Sequence, residues 1–263
     1  LLQQLYSTVD SIIVGNCVGK EALAAVGSTG SIVSLLIAFS QGASVGAGVI
    51  ISQYMGAKRK DDVKRAVHTA MAIAVIIGLV LTVMGVFMSR LFLVWMQTPD
   101  NILDGASLYL QIYCGGLLFN VLYNMCAGIF NAAGNSKRPL LYLGAASVVN
   151  IALDLILIQG FGMGVEGAAI ATVLARFVEM FVVVIWTHLS IKKYEFLRGV
   201  YRTLKISISE VKVIIIKGLP IFLNEFFWSG GIAAMTQCYS IKGLQVIAGM
   251  NISNAICNLL NVV

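Results

Sequence analysis

Three carboxylates interrupt otherwise apolar segments of this sequence: Asp10, Asp154 and Glu225. A carboxylate in hydrocarbon costs roughly 3 kcal/mol on insertion scales, so such groups face a bundle interior or a wet cavity and bind something. On the segment around Asp10, the residues Gln3, Tyr6 and Ser7 recur at spacings of three and four, which puts all four on one stripe of a helix. In SVVNIALDLILIQ, Asn150 and Asp154 stand one helical turn apart, with Ser147 on the same face. An amide oxygen and a carboxylate so placed suit a hard cation such as Na+, which takes oxygen ligands. They would equally hydrogen-bond a protonated carboxyl. Thr172, in GAAIATVLAR, can add a hydroxyl oxygen. Three acids on three helices point to a transport protein with a cation-handling site.

Other polar residues in apolar surroundings admit two readings. Asn120, Asn124 and Asn131 align on one side of a helix, where they either join neighbouring helices or line a substrate cleft. Arg176 and Glu179 are three apart, a pairing distance, and mutual neutralisation explains both. Glu225 follows Pro220 with Lys217 two turns before it, and is either a cleft group or a snorkelling one. The cysteines Cys17, Cys114, Cys126, Cys238 and Cys257 show no ligand spacing and read as small apolar residues. His68 and His188 lie far apart near helix ends, which argues against a transition-metal site. There is no phosphate-binding loop, HExxH or GxSxG. An enzyme is not expected, nor is any cofactor beyond a coupling ion, Na+ or H+.

The elements that must position these groups are membrane helices. Of 263 residues, 59% are hydrophobic and 11% charged, where a soluble domain carries about 25% charge. Apolar stretches long enough to span a bilayer fall at about 1–19, 24–54, 64–94, 105–133, 139–160, 166–189, 211–240 and 243–263. They are far too long for barrel strands, so the fold class is all-α, a polytopic helix bundle. The chain begins at Leu1 inside one apolar run and stops at Val263 inside another, as expected of a piece of a longer protein with its first and eighth helices cut.

The net charge of +6 does not imply nucleic acid. The basic residues concentrate in GAKRKDDVKR, in GNSKRP and between Ile191 and Lys217, on alternate connections. That asymmetry places the 2–3, 4–5 and 6–7 connections in the cytoplasm and the protein in a cell membrane. The longest connection, 191–210, interleaves charges with Tyr194, Phe196, Leu197, Tyr201 and Leu204, and reads as a cytoplasmic linker or surface helix. It separates a six-helix unit, 1–190, from the start of another, 211–263. A faint echo between GKEALAAVGSTGSIVSLL and IKGLQVIAGMNISNAICNLL fits two pseudo-symmetric units. The small residues Gly42, Gly46 and Gly48 suit close helix packing.

Four segments together resemble one family. LLQQLYSTVDSIIVGNCVGKEALAAVG is similar to the first helix and outer loop of the multidrug and toxic compound extrusion (MATE) transporters. AGIFNAAGNSKRPLLY resembles their fourth-to-fifth connection, NIALDLILIQGFGMGVEGAAIATVLAR their fifth and sixth helices, and GLPIFLNEFFWSGG the start of their seventh. The resemblance implies a six-helix N-lobe and the first two helices of a C-lobe facing a central cleft. It also implies antiport of cationic, amphipathic compounds against Na+ or H+ by alternating access. The family's N-lobe cation site matches Asp10, Asn150, Asp154 and Thr172, with Tyr6 one turn before Asp10. Glu225 lies about one turn from where some members carry an acid.

Asn120, Asn124 and Glu225 are the candidate cleft residues. The expected partners are small cationic or amphipathic substrates, the coupling ion and the lipid bilayer; a monomer is expected, and no nucleic acid. The oxygen-only ligand set favours Na+, and a proton shared by Asp10 and Asp154 is its rival. A lipid-linked oligosaccharide flippase of the wider superfamily would be expected to line its cleft with basic residues, whereas the intramembrane charges here are mainly acidic. A seven-helix receptor and a membrane-embedded enzyme are the readings from other classes.

Overall fold

A computed structural model describes residues 2–189 and 208–240. Among them all regular structure is helical: α1 (Leu2–Cys17), α2 (Lys20–Gly56), α3 (Lys60–Trp95), α4 (Asp100–Gly115), α5 (Leu117–Ala132), α6 (Lys137–Asp154), a π-helical segment (Leu155–Gly160), α7 (Val165–Leu189) and α8 (Ile208–Ser240). The all-α bundle expected from composition is the observed one. Among the described residues, α2, α3, α6 with its π-helical extension, and α7 are each long and apolar enough to cross a bilayer; the α4–α5 pair makes a fifth span if counted as one. Large apolar side chains cover the outside, Phe87, Val148 and Phe161 among them. In water such a surface would be an aggregation hazard; in lipid it is the solvent-matched face. The chain is a multi-pass membrane protein.

Two spans differ from the expectation of plain α-helix. The fourth, expected unbroken over 105–133, bends by 47° between α4 and α5. The break falls at the Gly115–Gly116 pair, a usual site for kinks. Gly116 is needed there because a Cβ on it would lie 2.7 Å from Val173 Cγ2 of α7. The fifth, expected over 139–160, leaves α geometry at Asp154, and its last six residues are π-helical. Such bulges are rare and cluster at functional sites. The helix expected as the seventh span, over 211–240, starts three residues earlier at Ile208 and passes through Pro220 to Ser240. Residues 191–207 of the expected linker and the whole of the expected eighth span, 243–263, lie outside the described residues.

α2 lies at the centre, against α3, α4, α5 and α8, while α7 packs on α4, α5 and α6. The main core runs through Ile50, Ile51, Val67, Met71, Leu110 and Phe130. A smaller cluster of Val14, Ala22, Ile158 and Ala168 seats α1 against the π-helical segment and α7. Gln159 Nε2 donates to Cys17 Sγ at 3.2 Å and ties the ends of the same two elements. These contacts fix where Asp10 stands. α2 and α8 approach at backbone distance: a Cβ on Gly46 would sit 2.9 Å from Gly218 N and 3.1 Å from its Cα.

Candidate cation site

Asp154 closes α6 and is fully buried, and Asn150, one turn earlier, is 1% exposed. α1 packs on α6 and on the π-helical segment, bringing the Asp10 carboxyl within hydrogen-bonding reach of Asp154. As carboxylates the two groups are both acceptors, so nothing passes between them until a proton or a cation is added. Asp10 Oδ1, both carboxylate oxygens of Asp154 and both amide atoms of Asn150 are buried without a hydrogen-bond partner. Leaving one buried polar atom unpaired costs about 1–3 kcal/mol. On α6 the unpartnered atoms of Asn150 and Asp154 stand one turn apart, with Asp10 Oδ1 facing them from α1.

Thr172, 6% exposed, stands on α7 beside Asn150, both in the wall of one crevice. Its Oγ1 donates to the Ala168 carbonyl at 3.0 Å, which consumes the proton and leaves the oxygen lone pairs as acceptors. Ser147, by contrast, donates to its own helix at Leu143 O, 2.8 Å away. The donors that meet here are oxygens, with one amide, and they fit Na+ as they fit a shared proton.

Two tyrosines that the sequence did not single out stand near the pair. Tyr109 and Tyr113 of α4 stack with ring centroids 6.2 Å apart, and both lie close enough to Asp10 to feel its charge, Tyr109 feeling Asp154 as well. The signal was a pair of tyrosines at i and i+4 just before the Gly115–Gly116 break, but tyrosine in a membrane span is ordinary. Tyr6 lies on α1 one turn before Asp10, and Glu225 on α8 after Pro220; the side chains of both are outside the described residues.

Asn120 and Asn124 join helices. Asn124 Nδ2 lies 2.7 Å from Asn120 Oδ1 and 3.2 Å from Ser40 Oγ, and Ser44 Oγ donates to the Asn124 carbonyl at 2.6 Å. This network holds α5 to α2. Asn120 is 2% exposed, and with Tyr113, Thr172 and Arg176 it also lines a small crevice inside the bundle. Arg176 and Glu179 pair as their spacing predicts, Nη1 to Oε2 at 2.7 Å, both buried.

The MatE family model matches residues 1–156, more than half of the chain. The chain belongs to the MatE family. It is 29% identical over 263 residues to the probable multidrug resistance protein YoeA of Bacillus subtilis, covering 98% of this chain and 57% of that protein. It is 27% identical over 258 residues to the probable multidrug resistance protein NorM of Thermotoga maritima, covering 96% and 54%. Among solved structures, a multidrug resistance MATE transporter in the outward-facing conformation matches with TM-score 0.87 at 26% identity, over 99% of this chain and 57% of that one. A MOP superfamily transporter from Pyrococcus furiosus, described as having a binding pocket of reversed polarity, matches with TM-score 0.88 at 27% identity, over 98% and 57%. This MatE chain therefore spans little more than half the length of the relatives it matches. The likeness is to transporters, and the seven-helix receptor reading is set aside.

Proposed function

We propose that this chain forms the ion-coupling half of a secondary active exporter of cationic, amphipathic compounds in a cell membrane, driven by inward Na+ or H+. The observation that carries the reading is the meeting of Asp10 and Asp154 beside the unpartnered amide of Asn150, inside the helix bundle. A buried carboxylate pair that lacks donors has no structural use that an apolar pair would not serve better. The multidrug resistance names of the relatives support the substrate class.

The mechanism follows from charge. With the cation or proton between Asp10 and Asp154, the pair carries one negative charge instead of two and α1 rests against α6. Its loss leaves like charges at close range, which pushes α1 away from α6 and the π-helical segment. The two arrangements are the two states that alternating access needs. Because coupling between two binding events is reciprocal, substrate and ion each weaken the other's hold.

Asp10→Asn in the full-length protein tests the assignment. The change is nearly isosteric and removes the charge. Efflux of a cationic dye should be lost at matched expression and intact folding; normal efflux in this variant would end the assignment.

A further inference from the structure

Two facing stripes line a narrow crevice between α6 and α7, with room inside for about one water molecule. α6 contributes Leu143, Ala146, Ser147 and Asn150; α7 contributes Thr172, Ala175, Arg176 and Glu179. Both stripes have the same spacing, and the small residues Ala146, Ser147 and Ala175 stand where larger ones would seal the joint. At 1.5 Å rise per residue each stripe runs about 10 Å along its helix. One end is Asn150 and Thr172, beside Asp154. The other end is Glu179, nearer the start of α6 and the end of α7, where Lys137, Arg138 and the basic 191–217 segment mark the cytoplasmic side.

Glu179 is 1% exposed. Its Oε2 holds Arg176, while its Oε1 is buried without a partner. The Tyr123 hydroxyl of α5 lies beside this carboxylate but gives its proton to the Pro139 carbonyl, 2.9 Å away. A buried ion pair is weak as a stabilising device, since well-packed apolar residues do as well or better. Here the pair makes the crevice wall electrically neutral and leaves one anionic oxygen on it. Arg176 also borders the second crevice, shared with Asn120 and Tyr113.

We propose that the α6–α7 crevice is the cytoplasmic exit path of the coupling cation, and that Glu179 is the carboxylate that hands it between the Asp10–Asp154 pair and the cytoplasm. This rests on the reading of Asp10 and Asp154 as the coupling site. The path runs within one lobe, apart from any cleft between lobes, so ion and drug leave by different routes. Tyr123 acts as a gate-keeper at the far end: turning its hydroxyl from Pro139 to Glu179 satisfies Oε1 and closes the station.

The test uses the full-length transporter with its native cysteines replaced and Ser147→Cys introduced. Ag+, a small monovalent cation that reacts with thiolates, is added to inside-out and right-side-out vesicles. A thiol needs water to ionise, so the lipid-facing Val148→Cys is the control. Ser147→Cys should react from the cytoplasmic face about tenfold faster than the control or more. Equal rates, or reaction from the outer face alone, overturn the path. Glu179→Gln should lower the transport rate by about tenfold while leaving equilibrium affinity for the coupling cation unchanged. The neutral Arg176→Gln/Glu179→Gln pair guards against misfolding of the single variant and should show the same split. Wild-type rates in a folded variant remove Glu179 from the path. The two readings fail separately. Intact efflux in Asp10→Asn ends the coupling site, and an unreactive Ser147→Cys in a protein that Asp10→Asn inactivates ends the exit path alone.

Discussion

One substitution, made at two glycines of α2, should have opposite signs. Alanine in place of glycine in a helix interior gains about 1 kcal/mol of helix propensity. At Gly30 a new Cβ meets nothing within 4 Å, so Gly30→Ala keeps the whole gain. At Gly46 the new Cβ would lie 2.9 Å from Gly218 N and 3.1 Å from Gly218 Cα. Those are backbone atoms that cannot rotate away, so α2 and α8 must part by several tenths of an ångström. Overpacking of that kind costs about 1–3 kcal/mol. Subtracting the propensity gain leaves Gly46→Ala up to about 2 kcal/mol destabilised, with Gly30→Ala about 1 kcal/mol stabilised. Thermal unfolding of the purified full-length protein, followed by size-exclusion fluorescence, separates the two. Gly46→Ala as stable as Gly30→Ala would refute the close crossing of α2 and α8.

Arg176→Gln should destabilise by about 3–5 kcal/mol, because it leaves Glu179 buried and uncompensated, and adding Glu179→Gln should restore most of the loss. Unfolding of both variants checks this, and equal damage in single and double variants would deny that the pair acts as a unit. Thr172→Val keeps shape and removes one oxygen worth about 1 kcal/mol, so apparent affinity for the coupling cation should fall about fivefold. Ion titration of substrate binding reads it, and an unchanged affinity would take Thr172 out of the ligand set.

The helices and most of the polar cluster were legible in the sequence for one physical reason: polar atoms in hydrocarbon are costly, so each one in an apolar run stands out. Asp10, Asn150, Asp154 and Thr172 were singled out that way, and the structure brings the carboxyls of Asp10 and Asp154 together. Arg176 and Glu179 were readable as a pair because helical spacing alone sets their distance. Tertiary facts were not readable. The bend at Gly115–Gly116 brings Val173 of α7 so close that a Cβ on Gly116 would clash with it, a contact between segments far apart in the sequence. The π-helical turn after Asp154 carries Ile158 into a cluster with Val14 of α1 and Ala168 of α7, contacts that local spacing does not reveal. Tyr109 and Tyr113 gain their meaning from Asp10, a hundred residues away. Whether the asparagines of α5 join helices or line a cavity turned on their neighbours: Asn124 binds Ser40 of α2, while the Asn120 amide nitrogen remains unpartnered beside Arg176.

The central claim is that Asp10 and Asp154 together hold the coupling cation. The most direct measurement is substrate efflux in proteoliposomes of the full-length protein under an imposed Na+ gradient at equal pH, for the wild type, Asp10→Asn and Asp154→Asn. The account predicts Na+-driven efflux in the wild type and none in either variant. A wild type driven by a pH gradient alone, with both variants dead, would keep the pair and assign it to protons. Gradient-driven efflux that survives in Asp154→Asn would contradict the account.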